Sequence, residues 1–181
     1  MPGYKRTDAG AIPVEWDIYK VQDLIDRKYI LSHLDGNHGE LYPRSHEFKE
    51  HGVPFIGAND FSSGSIDFLT CKFLSEERAS QFKKGIAKNG DVLFAHNATV
   101  GPVSLLETNL KYVILSTSAT YFRCDNKLLL NNFLRYALQS SFFVKQYTEV
   151  MAQSTRFQVP ISAQRKVACR NCCIIHSGPV S

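Results

Sequence analysis

The sequence predicts a mixed α/β fold of the α+β kind, with short, largely antiparallel strands and a few packed helices. Three observations lead there. Apolar residues come in short runs bounded by Gly, Asn, Asp or Pro, as at Val53–Ile56 and Asp91–Ala95. Helical spacing of apolar residues is sustained chiefly from Leu129 onward. Strand-like and helix-like segments do not alternate regularly, which argues against a doubly wound parallel sheet.

The elements follow in order. Val14, Trp16 and Ile18 alternate with Glu15, Asp17 and Tyr19, the period-2 pattern of a half-buried strand. Val21, Leu24 and Ile25 then switch to helical spacing. From Ser32 to Glu50 apolar periodicity nearly vanishes. Three histidines (His33, His38, His46), Asp35-Gly36 and Pro43 stand there instead, so a long functional loop is expected. Val53–Ile56 reads as a strand entering the turn-rich Gly57–Asp60, with a second strand at Ile66–Leu69. Ser75–Gly85 reads as a helix: Ser75 caps it, Glu76 and Glu77 suit its positive end, Lys83 and Lys84 its negative end, and Gly85 stops it. Asn89-Gly90 turns the chain into Asp91–Ala95, and strands follow near Val100–Leu106, Tyr112–Leu115 and Ala119–Arg123. Leu129, Phe133, Tyr136 and Ala137 share a helical face with Leu130, Leu134 and Leu138 beside them. Ser140-Ser141 breaks that helix before Phe143, Tyr147, Val150 and Met151 begin another.

At 181 residues the chain fits one domain, with or without a tail. Hydrophobic residues at 44% and charged residues at 21% exclude disordered and coiled-coil classes, and no apolar run approaches the roughly 18 residues that span a bilayer. Met1–Asp8 lacks the apolar stretch of a signal peptide, so a cytoplasmic protein is expected. The net charge of +4 hints at phosphate, but residues 1–152 balance 17 basic against 17 acidic groups. The excess lies in Arg156, Arg165, Lys166 and Arg170. Residues 61–152 are the more basic part of the balanced region, which leaves room for a DNA-binding face there, although charge alone does not establish one. Five cysteines, an odd number, argue against a disulfide framework; Cys71 and Cys124 read as small buried hydrophobic residues.

Five segments, in order, resemble a known family. They are Gly10-Ala-Ile-Pro-Val-Glu-Trp16; Asp35-Gly-Asn-His38; Gly52-Val-Pro-Phe-Ile56 leading to Asn59; Asn89-Gly-Asp-Val-Leu-Phe94 with Thr99-Val-Gly101; and Ser154-Thr-Arg156. Together, over about residues 10–165, they resemble the target recognition domains in specificity subunits of type I restriction-modification systems. The resemblance implies a target-recognition-domain-like α/β fold without chemistry of its own. In that family the subunit carries two such domains separated by long helices, each reading half of a split DNA target. It docks a methylation subunit that transfers a methyl group from S-adenosylmethionine to adenine, and a restriction subunit cuts remotely. This sequence departs from the pattern after Val159–Gln164, where a spacer helix is expected and Arg165–Ser181 stands instead. It therefore reads as half a specificity subunit with an aberrant tail, which puts docking of the methylation subunit in doubt.

The candidate contacts lie on loops. Asn37 suits a bidentate bond to adenine and His38 a base or phosphate, although Asp35-Gly36 can simply turn the chain with His38 packed locally. Asn59 and Asp60 present an amide and a carboxylate at a strand end, or else form an Asx-turn. His96, Asn97 and Thr99 suit DNA contact better than catalysis, since a general base needs an orienting carboxylate. Ser116, Thr117, Ser118, Ser154 and Thr155 carry hydroxyls suited to phosphate. The planar fork of Arg156 suits guanine N7 and O6, with a solvated surface arginine as the plain alternative. Lys83, Lys84 and Lys88 either follow the DNA backbone or satisfy a helix end. Cys169-x2-Cys172-Cys173-x2-His176 has metal-like spacing, but neighbouring Cys172 and Cys173 would have trouble ligating one ion together, so no metal site is assigned.

The sequence reading is thus a DNA target recognition domain over residues 1–160 and an aberrant, flexible tail over 161–181. The domain is non-catalytic and holds no cofactor; S-adenosylmethionine belongs to the partner methylation subunit. Expected partners are double-stranded DNA, the methylation and restriction subunits, and optionally a second copy. The alternative is a protein-interaction module that binds a methylation subunit or itself through Phe142, Phe143 and Tyr147. A nuclease using His38, Asp60 or His96 is disfavoured for want of paired carboxylates at helical spacing.

Overall fold

The computed structural model describes residues 3–171. Along them run β1 (Tyr4–Thr7), β2 (Gly10–Pro13), β3 (Asp17–Lys20), α1 (Val21–Asp26), β4 (Ile30–Asp35), β5 (Phe48–Lys49), β6 (Val53–Ile56) and β7 (Lys72–Leu74). There follow α2 (Glu76–Ala79), β8 (Ile86–Ala87), β9 (Val92–Asn97), β10 (Thr99–Leu105), β11 (Val113–Leu115), β12 (Ala119–Cys124), α3 (Asn131–Gln139), α4 (Ser141–Ala152), α5 (Ile161–Gln164) and β13 (Ala168–Asn171).

An antiparallel sheet ordered β10-β9-β12-β4 is the middle layer. Its inner strands are buried on both faces, which is why Val92–Ala95 is apolar without alternation. Val92, Phe94 and Phe122 face a core completed by α1, α3 and α4. Leu93, Ala95, Ala119 and Tyr121 face a second core with Ile56, Phe61 and Leu115. The second sheet, β5-β7-β6-β11-β8, is mixed: β6 and β11 run parallel, and the other pairs are antiparallel. The α+β expectation matches this architecture.

Several elements differ from the sequence reading, each for a physical reason. Val14–Trp16 is a turn closed by the Trp16 N–H on the Pro13 carbonyl, and Val14 is exposed. The 32–50 segment is no single loop, because its start is β4, paired along β12 from Ile30 to Asp35. That strand inverts the usual pattern, with His33 inward and Leu31 and Leu34 outward. Ile66–Leu69 is a turn, and the strand there is Lys72–Leu74. Ser75 caps α2 by accepting the Arg78 N–H, but the helix ends at Ala79, so Lys83 and Lys84 do not serve its last turn. In α3 the buried stripe is Leu134, Ala137 and Leu138, with Leu130 and Tyr136 outside. Ser140 separates α3 from α4 as expected, accepting the Phe143 N–H.

Two further expectations are corrected. Residues 161–171, assigned to the tail, are built into the body. Helix α5 buries Gln164, and β13 pairs antiparallel with β3, with Val167 and Cys169 in the core. Phe143 and Tyr147, offered as a self-association surface, are buried against Phe94. Amphipathic spacing marks a face to be covered, and the middle sheet covers this one.

Candidate nucleic-acid interface

The parallel strands β6 and β11 end side by side, Ile56 opposite Leu115, so the chain leaves both at one edge. After β6, Gly57 opens a 3₁₀ turn, Ala58–Phe61, held by Asp60, whose Oδ2 accepts the Gly57 N–H at 2.7 Å. After β11, Ser116–Ser118 folds over that turn: Ser118 Oγ accepts the Ala58 N–H at 2.8 Å and shares a 2.8 Å bond with Ser116 Oγ. Position 57 is tight: a Cβ would stand 2.9 Å from Ser116 Oγ and 3.1 Å from Ser118 Oγ, so the bonded serine pair would have to shift to admit one. The β9–β10 hairpin brings its tip, Asn97-Ala98-Thr99, to the same edge, with Ala98 left-handed at φ 65°. Thr99 Oγ1 donates to Asn59 Oδ1 at 3.3 Å. An open cleft of about 240 Å³ lies here, lined by Tyr42, Asn59, Asp60, Thr70, Lys72, Ala98 and Ser118 among others.

Burial pushes the half-buried Asp60 carboxyl above its ordinary value, reinforced by nearby Asp67 and opposed by the Gly57 N–H. Asn59 is exposed, and with its Oδ1 engaged by Thr99 its amide NH₂ is left for an acceptor. The loop after α4 joins this edge as well. Asn97 bridges Gln158, and the Val159 N–H bonds the His96 carbonyl at 2.8 Å, so the exposed Ser154, Thr155 and Arg156 sit beside the hairpin.

Two candidate histidines, His38 and His96, lie inward. His38 is 7% exposed, its ring lies tilted against Phe82 with centroids 4.3 Å apart, and it bonds the Leu115 carbonyl at 2.7 Å, so Nε2 donates. Burial pulls its pKa below the ordinary value against that bond. His96 is 6% exposed and neither ring nitrogen has a partner among the described residues; burial lowers its pKa too. Ser116 is buried as well. Asn37 stays exposed and braces the turn, its Oδ1 accepting the Gly39 N–H at 3.2 Å. Sequence reasoning also missed Tyr42, Thr70, Lys72 and Ala98; Tyr42 carried a local signal in adjoining Pro43, and Thr70 and Lys72 carried none.

Beneath the hairpin lies a buried polar cluster. Gln164 Oε1 accepts from His33 Nε2 and Thr120 Oγ1, both at 3.0 Å, and its Nε2 donates to the Val159 carbonyl at 2.8 Å. It locks α5 and the base of the 154–158 loop onto the middle sheet. Cys169 is fully buried, its thiol pushed up to about 12, and so is withdrawn from the metal-like tail pattern. Cys172, Cys173 and His176 lie outside the described residues. Among the described residues no group of three or more His, Cys, Asp or Glu is placed to hold a metal ion. No helix among them is long and apolar enough to cross a membrane.

The family model described as the type I restriction modification DNA specificity domain matches residues 13–162, most of the chain. The chain belongs to this family. Among curated proteins it is 24% identical over 152 residues to the type I restriction enzyme MjaVIII specificity subunit of Methanocaldococcus jannaschii, covering 82% of this chain and 33% of that protein. It therefore spans about a third of that relative's length. Among solved structures, the HsdS subunit from Thermoanaerobacter tengcongensis superposes with a TM-score of 0.60 at 16% identity, over 93% of this chain and 36% of that one. The type I S subunit from M. genitalium does so with a TM-score of 0.57 at 15% identity, over 87% and 34%. A chain from a type I R-M system structure concerned with complex assembly and conformational transition gives 0.64 at 16% identity, over 92% and 36%. These likenesses are of fold.

In this specificity domain, the segments that carry the family resemblance are mostly framework. Gly36 has no room for a Cβ, which would lie 2.2 Å from the carbonyl oxygens of Leu115 and Ser116. Asp91 of the Asn89–Phe94 segment is buried and clamped by Arg123 through two bonds of 2.9 and 2.7 Å. Val53–Ile56 is sheet. Asn59, Thr99 and Ser154–Arg156 are the parts that lie exposed or half-exposed at the edge described above.

Proposed function

We propose that this specificity domain binds double-stranded DNA and reads one half of a bipartite target for a type I restriction-modification complex. One observation carries the reading: polar side chains from four separate segments converge on one edge, each held by backbone or side-chain bonds. Asn59, Asn97, Thr99, Ser118 and Arg156 supply donors and hydroxyls. Asp60 sits among them as an acceptor. A carboxylate repels phosphate but accepts from the exocyclic amines of cytosine or adenine, so this cleft suits base edges rather than backbone. Asn37, Thr117 and Thr155 extend the contact set; His38 and Ser116 hold the loops from within, and His96 lies buried at the base of the hairpin. Phosphate contacts fall to Arg156, Lys72 and the exposed Lys83, Lys84 and Lys88.

In this reading the domain is a non-catalytic component without a cofactor of its own. Methylation and cleavage, with S-adenosylmethionine, belong to partner subunits, and the setting is the cytoplasm. The test is selection from random duplex DNA at two salt concentrations. One short motif enriched at both is the expected result; binding without enrichment that vanishes with salt overturns base readout. Asn59→Ala is expected to relax one base position at a cost of about 1–3 kcal/mol.

A further inference from the structure

Two large apolar side chains stand in solvent on braced turns at this edge. Leu69 is 94% exposed, the most exposed of the large hydrophobic residues described. Its turn is built rather than slack. Asp67 Oδ1 accepts the Leu69 N–H at 2.9 Å, and the Asp67 N–H bonds the Asp60 carbonyl at 2.8 Å, tying the turn to the cleft. The next residue, Thr70, lines that cleft. Phe157 is 63% exposed at the centre of a tight turn in which the Gln158 N–H bonds the Arg156 carbonyl at 2.8 Å. Ser154 Oγ accepts the Arg156 N–H at 3.2 Å, and Gln158 is bridged to Asn97 beside Ala98 of the cleft. A single exposed Leu or Phe needs no explanation. Here one adjoins Thr70 of the polar cleft and the other adjoins Gln158, bridged to Asn97 beside Ala98 of the same cleft, on turns whose bonds fix the backbone and leave the side chains uncovered.

We propose that Leu69 and Phe157 are specificity-determining apolar contacts, each packing on the C5 methyl of a thymine in the major groove. Thymine is the base with an apolar group on its major-groove edge, and that methyl distinguishes it from cytosine in a way no hydrogen bond does. The neighbours fit this occupant. Arg156, adjacent to Phe157, makes no ion pair among the described residues and is free to grip phosphate. Lys72 flanks the cleft on the Leu69 side. Asp60 and Asn59 between them address amines and acceptors, which leaves methyl recognition to the two apolar chains.

The inference rests on the DNA-reading function, and the experiment separates the two. The full chain is titrated with its selected duplex and with duplexes in which each thymidine is replaced singly by deoxyuridine, which lacks only the methyl. Two positions are expected to lose about 4-fold in affinity, the value of one buried methyl. Leu69→Ala abolishes the loss at one position and Phe157→Ala at the other, with thermal unfolding unchanged because both side chains are exposed. Binding with a selected motif but no deoxyuridine sensitivity overturns this inference alone. Sensitivity that persists unchanged in either variant removes that residue from the proposal. Failure of the wild-type chain to select any motif overturns the parent reading and this inference with it.

Discussion

Acid should loosen this protein between pH 6.5 and 4, through His33. Its ring lies against Phe122 at 4.2 Å, with Nε2 donating to Gln164 and Nδ1 without a partner. Burial drives its pKa from 6.5 down to about 4; Arg165 and His96 push the same way, while the Gln164 bond and Asp35 oppose. The fold therefore holds the neutral ring while the unfolded chain takes up a proton below 6.5. Stability is full above 6.5 and falls as pH drops toward 4. The shift corresponds to about 3 kcal/mol in all, of which about 2 kcal/mol is gone by pH 5. His96, also depressed, adds in the same direction. Asp60, raised, works oppositely, and Glu47 and Asp17, both lowered, lose their contribution only as pH falls below the ordinary carboxylate range. The control is His33→Leu, which removes the titrating ring while Gln164 Oε1 keeps its bond from Thr120. It should cost about 1 kcal/mol at pH 7.5. Urea unfolding, followed by fluorescence of the sole tryptophan, Trp16, against Phe133, reads both proteins at pH 7.5 and 5. A wild-type loss exceeding the variant's by about 2 kcal/mol is expected. Equal losses would refute the account of His33 as a neutral ring held by burial.

Three further perturbations test the framework. Asp91→Ala leaves the Arg123 guanidinium against Tyr121 without its buried carboxylate, and is expected to cost about 3 kcal/mol in urea unfolding; a cost under about 1 kcal/mol contradicts the clamp. Gly36→Ala forces a Cβ onto two carbonyl oxygens at 2.2 Å, with an expected loss of about 3 kcal/mol or failure to fold. A stable, motif-selecting Gly36→Ala protein would show that the loop can retreat. Cys71, Cys124 and Cys169, pushed up to about 11, 12 and 12, should react with a thiol reagent at pH 8 at least about 100-fold more slowly in the native protein than in urea, read peptide by peptide.

Much of the fold was legible because the sequence patterns reflect burial directly. The Asp91–Ala95 run, buried on both faces, marks a central strand. Ser140 breaks one helix and caps the next; Gly36 read only as a turn, and its close approach to the Leu115 and Ser116 carbonyls needed the structure. What was misread lacked such a link. Strand β4 has a polar histidine inside and leucines outside, because its inward position is satisfied by Gln164 from the far end of the chain, 131 residues away. Residues 161–171 resembled a tail because their neighbour β3 lies at the other terminus.

The same logic governs the candidate site. A recognition domain must hold its loops still while presenting outer side chains to the target, so the two roles fall largely on different residues; Asn59 and Asp60 share both, each bonded within the edge through one oxygen. Those that fix the loops are constrained by contacts inside the chain: His38 by the Leu115 carbonyl, Asp91 by Arg123, Asp60 by the Gly57 N–H. Such residues form motifs, and the motifs were what the sequence offered. Residues that meet a partner outside the chain have no internal contact to specify them. Leu69 and Phe157 stood in the sequence as ordinary apolar positions, and only their exposure on bonded turns sets them apart. His38 illustrates the converse: an imidazole in a loop motif reads as a contact, yet its ring is buried and bonded to the Leu115 carbonyl. For this domain a polar loop motif is therefore first to be tested as scaffold. Further readers beyond Asn59 and Asp60 are to be sought among exposed side chains on bonded turns, as at Leu69 and Phe157.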